Sequence, residues 1–176
     1  EYARNVSHSV IFMRYDYSAH SSPDELVLPR VIWERGTVDG VIIAGTNYPN
    51  FVQAVQALRI PCVLFGNNLI GRVPIEEIDT IWYDTEAAAR EATDYLIGLG
   101  HAKISFAGDT NLPWYRRLHR GYAAALDQRG LPRHELNPEV HSSLFDYGMS
   151  CASEIANERR RSTAVLAGDD EIALGM

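Results

Sequence analysis

The stretch that decides the fold is residues 83–131, YDTEAAAREATDYLIGLGHAKISFAGDTNLPWYRRLHRGYAAALDQRGL. Asp84 stands where a helix cap is needed. The helical pattern after it predicts an inner face of Ala88, Ala92, Tyr95 and Leu99. Gly100 suits the left-handed position that ends a helix, and His101 reads as the turn residue holding that end. Residues 103–107 read as a buried strand. A loop with Trp114, Tyr115, Arg116 and Arg117 follows. The next helix has Leu118, Tyr122, Ala125 and Leu126 on one face and is stopped by Gly130 and Pro132. Helix, strand, loop, helix is the repeating order of open α/β sheets, which bind small molecules where strands end and helices begin.

Working outward, the alternation continues. SVIFM (9–13) is strand-like. Ser22-Pro23-Asp24-Glu25 has the form of a capping box with proline at the first helical position. Pro29 conflicts with one straight helix through Arg35 and predicts a break. VDGVII (38–43) is a nearly continuous apolar strand. Asn50 is placed to cap a helix with Phe51, Val55 and Leu58 on one face. Residues 61–65 and 80–83 are further strands. A strand is expected near 138–141, then a helix capped by Asp146 with Cys151 and Ile155 inward, then a strand at 163–167. Strands apolar on both faces and separated by helices predict a parallel sheet covered on both sides, with right-handed crossovers. The division between two lobes is expected near His101. The opening EYARN resembles the tail of a helix, and the closing DDEIALGM resembles a helix stopped after its first turns. The chain therefore reads as part of a longer protein.

The 176 residues carry 16 basic and 23 acidic side chains, a net charge of -7. That balance disfavours wrapping nucleic acid or an anionic membrane surface. No apolar run approaches the roughly 20 residues that span a bilayer. Cys62 and Cys151 read as two small buried hydrophobes, and reduced cysteines suit a cytoplasmic address.

The residues just after each strand include Asn47, Asn67, Asp84, Asp109, Asp169 and Asp170, interleaved with glycine. Small residues let a ligand approach the backbone, and amides and carboxylates supply mixed donors and acceptors. The set suits a neutral polyhydroxylated ligand better than a phosphate. Trp114 and Phe145 offer planes for stacking on a sugar ring, and Arg116 and Arg117 offer forks for vicinal hydroxyls. Each has a plainer alternative. Trp114 and Phe145 would serve packing, the arginines would open a helix on its solvent side, and one of Asp169 and Asp170 would cap the following helix. His134-Glu135 reads as an isolated pair in a polar loop. Arg159-Arg160-Arg161 reads as a charge run complementing a helix end. Neither a nucleophile with its base, a metal motif, a Walker loop nor GxGxxG is present, which argues against an enzyme and implies no cofactor.

With VDGVII, IPCVLFGNN, EAAAREATDYLIGLGHAKISFAGD, RGYAAALDQRGL and TAVLAGDDEIALGM on the page, the sequence resembles the effector-binding core of the lactose/galactose-repressor (LacI/GalR) family of bacterial transcription regulators. The resemblance implies an α/β fold of two doubly wound parallel-sheet lobes of periplasmic-binding-protein type, incomplete at both ends. Residues 1–100 would be the first lobe lacking its first strand, and 101–176 the first half of the second. It implies a sugar or related polyol as effector, held by Asn47, Asn67, Trp114, Arg116, Arg117, Phe145, Asp169 and Asp170. It also implies a homodimer acting on operator DNA through a helix-turn-helix headpiece outside this chain, with no membrane partner. Leu118 stands where the family usually has an arginine, and Asp169-Asp170 stands for its usual Asn-Asp. The alternative is a periplasmic sugar-binding protein of an ABC transporter, which shares the fold.

Overall fold

The computed structural model describes residues 9–34, 36–66, 69–71, 78–136, 138, 142–157 and 162–176. By contacts the chain forms two compact units, Glu1–Phe65 with Gly71–Ile81, and Gly66–Ile70 with Trp82–Met176. The last change of unit thus falls between Ile81 and Trp82, ahead of the boundary expected near His101. The reason is packing: the helix before His101 lies against the helix after it.

The first unit holds a 3-10 turn at Pro23–Glu25, then α1 (Arg30–Trp33), β1 (Val41–Ile43), α2 (Pro49–Ala57), β2 (Cys62–Phe65) and β3 (Asp79–Ile81). Pro29 does interrupt the early helix, leaving a turn and a single helical turn on either side of it. The Glu25 carboxylate closes the turn by accepting from the Ser22 backbone N–H at 2.9 Å. The three strands are parallel in the order β1-β2-β3. Ile43 and Leu64 are register partners and both are buried, while the Phe65–Ile81 pair, one residue along, is exposed. Among the described residues, β1 and β2 therefore bury one face and leave the other exposed, while β3 is exposed throughout.

Two expectations for this unit change. SVIFM forms no strand: Val10, Ile11, Phe12 and Met13 are all exposed, and β1 pairs with β2 alone among the described residues. An apolar run becomes a strand only where a neighbour takes its backbone hydrogen bonds. Nor is Asn50 the cap of α2. That helix starts at Pro49, and buried Asn50 donates instead to the carbonyls of Ser18 and Ser21 at 2.9 and 2.8 Å. Tyr17 joins the same tie, accepting from the Tyr48 backbone N–H at 2.9 Å and stacking on Phe51.

The second unit holds α3 (Thr85–Gly98), β4 (Ile104–Ala107), α4 (Pro113–Gln128), β5 (His134–Leu136), α5 (Leu144–Asn157), β6 (Ala164–Ala167) and α6 (Asp170–Gly175). Asp84 caps α3 by accepting from the Ala87 N–H at 3.0 Å. Gly100 ends the helix region at φ +92°, and the His101 N–H reaches back to the Leu96 carbonyl at 3.2 Å. The inner face differs from expectation. Ala89 and Thr93 are buried, with Leu96 and Ile97 packed on the core, whereas Tyr95 and Leu99 are exposed. Helix α3 is apolar on more than one face, and its contact with α4 selects between them. At Gly121 of α4 a Cβ would collide with the Glu86 carbonyl, so glycine permits the close crossing.

The sheet is parallel in the order β5-β4-β6. Every residue of β4 is buried, and around it Tyr115, Tyr122, Leu126, Leu136, Cys151 and Ile172 form one cluster. The Tyr122 hydroxyl faces the Ile104 carbonyl at 2.8 Å and accepts from the His134 N–H at 2.9 Å, tying α4 to β4 and β5. His134-Glu135 lies in strand β5 rather than in a loop. Sequence polarity concealed it, because Glu135 faces out and pairs with His119 at 2.7 Å while Leu136 is buried. That strand precedes the 138–141 position expected, of which only Pro138 is among the described residues. Asp146 is not the cap of α5. Ser143 precedes that helix, and its hydroxyl accepts from the Asp146 N–H and donates to the Asp146 carboxylate. Arg159, Arg160 and Arg161 lie outside the described residues.

Candidate functional site

The strand order locates a crest. From β4 the chain moves to one side to reach β5, then crosses back to reach β6 on the other. With right-handed crossovers, opposite moves place α4 and α5 on opposite faces of the sheet. The carboxyl ends of β4 and β6 therefore mark the topological switch point, the place at which such sheets take ligands. Gly108-Asp109 follows β4 there, and Gly168-Asp169 follows β6.

Tyr115, in the first turn of α4, lies across both turns and is buried. A Cβ on Gly168 would stand 2.6 Å from its ring, and one on Gly108 3.1 Å from it. Both glycines thus make room for an aromatic plane. Burial pushes the Tyr115 hydroxyl pKa up, and the nearby charges of Asp169 and Asp109 add to the effect. Tyr147 is the fourth residue of α5. Its hydroxyl donates to the Leu136 carbonyl at 3.1 Å. Burial raises its pKa, with Cys151 and Asp109 as the next contributors. Asp109 is itself shaped by its loop: its Oδ1 accepts from the backbone and side-chain N–H groups of Asn111, both at 2.9 Å.

The sequence candidates distribute unevenly around this crest. Trp114 packs beside Tyr115 with ring centroids 5.9 Å apart and rests partly on the core cluster. Asp169 caps α6, its Oδ1 accepting from the Glu171 N–H at 2.9 Å, and Asp170 is the first helical residue and exposed. Capping uses only part of a carboxylate's acceptor capacity, so Asp169 keeps a second oxygen. Arg116 binds its own loop, donating to the Thr110 and Asn111 carbonyls at 3.1 and 2.9 Å. Arg117 turns the other way, its guanidinium 6.0 Å from the Trp82 ring centroid. Phe145, in the first turn of α5, is half-exposed. Asn47 belongs to the first unit, where it is buried and donates to the Ala44 and Gly45 carbonyls at 3.3 and 2.7 Å. Asn67 lies outside the described residues.

Trp114, Asp169 and Asp109 thus share the surroundings of Tyr115. The sequence reading did not single out Tyr115 or Tyr147 as crest residues. The available signal was two tyrosines, each one helical turn or less into the helix after a strand. Among the described residues no group of three or more His, Cys, Asp or Glu side chains is placed to hold a metal ion. No helix there is long and apolar enough to cross a membrane.

Comparison with known proteins bears on this arrangement. The family model for periplasmic binding proteins and the sugar-binding domain of the LacI family matches residues 32–176. Catabolite control protein A of Priestia megaterium is 29% identical over 142 residues, covering 79% of this chain and 42% of that protein. The transcriptional repressor CytR of Escherichia coli is 22% identical over 174 residues, covering 97% of this chain and 49% of that protein. A regulatory protein of the LacI family from Chloroflexus aggregans superposes with a TM-score of 0.63 at 27% identity, over 80% of this chain and 50% of that structure. The chain spans about half the length of these relatives.

Proposed function

Because the chain belongs to the family of periplasmic binding proteins and LacI-family sugar-binding domains, we propose that it is the effector-sensing part of a bacterial transcriptional repressor. The effector class is a sugar or related polyol. The observation that carries the reading is the crest of the second unit. At the switch point between β4 and β6, two carboxylates, an indole and a buried tyrosine gather on glycine-lined turns. Carboxylate oxygens accept from hydroxyls, and the apolar face of a sugar ring matches an indole. Asp109 and Asp169 are the acceptors, Trp114 the stacking plane, and Phe145 and Asp170 flank them. Asn47 and Asn67 are proposed as further ligand residues in their own right. Arg116 contributes by holding the 109–111 turn in shape.

Sensing follows from differential affinity. An effector that binds one arrangement of the protein better than another shifts the population towards it. In the whole regulator that shift would change the affinity of a dimer for operator DNA through a headpiece outside this chain. The setting is the cytoplasm, and the role is binding without turnover. The relatives with names of known role are transcriptional regulators, which favours this reading over a sugar-binding protein of a transporter. Titration calorimetry against a panel of pentoses, hexoses, nucleosides and polyols tests the sensing claim: heat from at least one supports it, and none from any counts against it. A helix-turn-helix encoded upstream of Glu1 supports the regulator, and a secretion signal there supports the transporter component.

A further inference from the structure

Tyr115, Tyr122 and Tyr147 all pack in or against the core of the second unit, and they dispose of their hydroxyls differently. Tyr122 is fully buried, and its hydroxyl meets the Ile104 carbonyl at 2.8 Å and the His134 N–H at 2.9 Å. Tyr147 donates to the Leu136 carbonyl at 3.1 Å. Tyr115 is only 3% exposed, yet among the described residues its hydroxyl proton goes to no acceptor. A buried hydroxyl whose proton has no acceptor is costly and uncommon in a folded chain.

The surroundings of Tyr115 say what kind of acceptor is wanted. Its ring lies where Gly108 and Gly168 leave room, and the Gly168 N–H, donating to the Ala107 carbonyl at 2.8 Å, fixes those two turns to each other. The ring is therefore held in one place. Trp114 faces the hydroxyl as a hydrogen-bonding side chain. An indole only donates, so it engages the oxygen and leaves the proton unplaced. The charges of Asp169 and Asp109 also bear on this phenol. Each of those carboxylates has one oxygen engaged locally, Asp169 with the Glu171 N–H and Asp109 with the N–H groups of Asn111. Burial and the two charges keep the phenol protonated at neutral pH, so it remains a donor.

Resting on the effector reading above, we propose that Tyr115 is itself a ligand residue of the crest, its hydroxyl donating to an acceptor oxygen of the effector while Asp109 and Asp169 accept from neighbouring hydroxyls. The subsite thus asks for an oxygen acceptor and hydroxyl donors close together, as a sugar ring presents them. It gives no such match to a ligand that carries donors alone.

The test compares Tyr115→Phe with Tyr122→Phe in the whole chain. Each removes one oxygen and keeps the ring, and the Tyr122 hydroxyl lies at the opposite ends of the strands, by the first residues of β4 and β5. Denaturant midpoints read stability, and calorimetric titration with ribose, glucose and adenosine reads binding. Tyr122→Phe lowers the midpoint and keeps the wild-type affinity. Tyr115→Phe keeps the wild-type midpoint and binds the compound that wild type takes about five- to ten-fold more weakly, as the loss of one neutral hydrogen bond implies. A Tyr115→Phe chain that loses as much stability as Tyr122→Phe overturns the proposal, because its hydroxyl would then be spent inside the protein; this arm needs no added compound. A Tyr115→Phe chain that binds as wild type does overturns it and leaves the effector reading standing. Heat from none of the three compounds in wild type removes the effector reading, and this proposal with it.

Discussion

The two parallel sheets are built alike and covered differently. In the second unit all four residues of β4 are buried, with Phe106 only 1% exposed. In the first unit, β2 carries Phe65 at 47% exposed, and none of β3 is buried. β2 and β4 match in length and are both largely apolar, so strand propensity is not what separates these two. Cover is the difference: a cluster drawn from α3, α4, α5 and α6 encloses β4, whereas among the described residues one face of the first sheet has no such cluster. A buried aromatic contributes in proportion to the area it loses to water, and an open face contributes little.

The sharpest way to break the comparison is a matched pair of truncations. Phe106→Ala should cost about 3–5 kcal/mol, the range for a fully buried phenylalanine. Phe65→Ala should cost about 1 kcal/mol or less, because half its ring is already in water. Denaturant unfolding followed by circular dichroism reads both. Equal losses would show that the first sheet is as well covered as the second.

A smaller effect is expected from single oxygens. Tyr122→Phe removes a hydroxyl that serves Ile104 and His134, and strands the part-buried His134 N–H and the buried Ile104 carbonyl. That should cost about 1–3 kcal/mol in the same measurement. Tyr95→Phe, on the exposed face of α3, should be neutral within about 0.5 kcal/mol.

The cysteines extend the contrast to chemistry. Cys151 is fully buried, and burial first, then Glu154, push its thiol up to about 11 from an ordinary 9. Cys62 is half-buried, and its thiol is raised by burial alone. A thiol reagent at pH 8 should label Cys62 at least about ten-fold faster than Cys151, since the thiolate is the reacting form and must be reached. The raised value also has a sign. The unfolded chain loses the Cys151 proton first, so this contribution to stability is full below about pH 9 and disappears as pH rises through about 11. Melting temperatures of wild type and Cys151→Ala should therefore differ in slope only above about pH 9.

These contrasts also mark what could be read from the residues. The second unit was legible because its signals are local. Asp84 and Gly100 are a cap and a stop, Lys103 precedes a short run broken only by Ser105, and Gly121 leads a helix face that holds in the structure. Failures came where a second partner decides. SVIFM has the composition of a strand and, among the described residues, no neighbour to pair with. Ala88, Tyr95 and Leu99 share a helix face, yet α4 chose the face of Ala89 and Thr93. His134-Glu135 is polar by composition and becomes a strand because β4 offers it a ladder. At the crest, the strand-end carboxylates were visible as residue types. The plane of Tyr115 between Gly108 and Gly168 was not, since it depends on where two distant turns meet.

The central claim is that the crest beyond β4 and β6 receives a neutral polyhydroxylated effector. Titration calorimetry of wild type, Trp114→Ala, Asp169→Ala and the remote Trp33→Phe with the compound of largest heat tests it most directly. The account predicts binding in wild type and Trp33→Phe, at least about ten-fold weaker affinity in Trp114→Ala, and a similar loss in Asp169→Ala. Binding of equal strength in all four chains would contradict it.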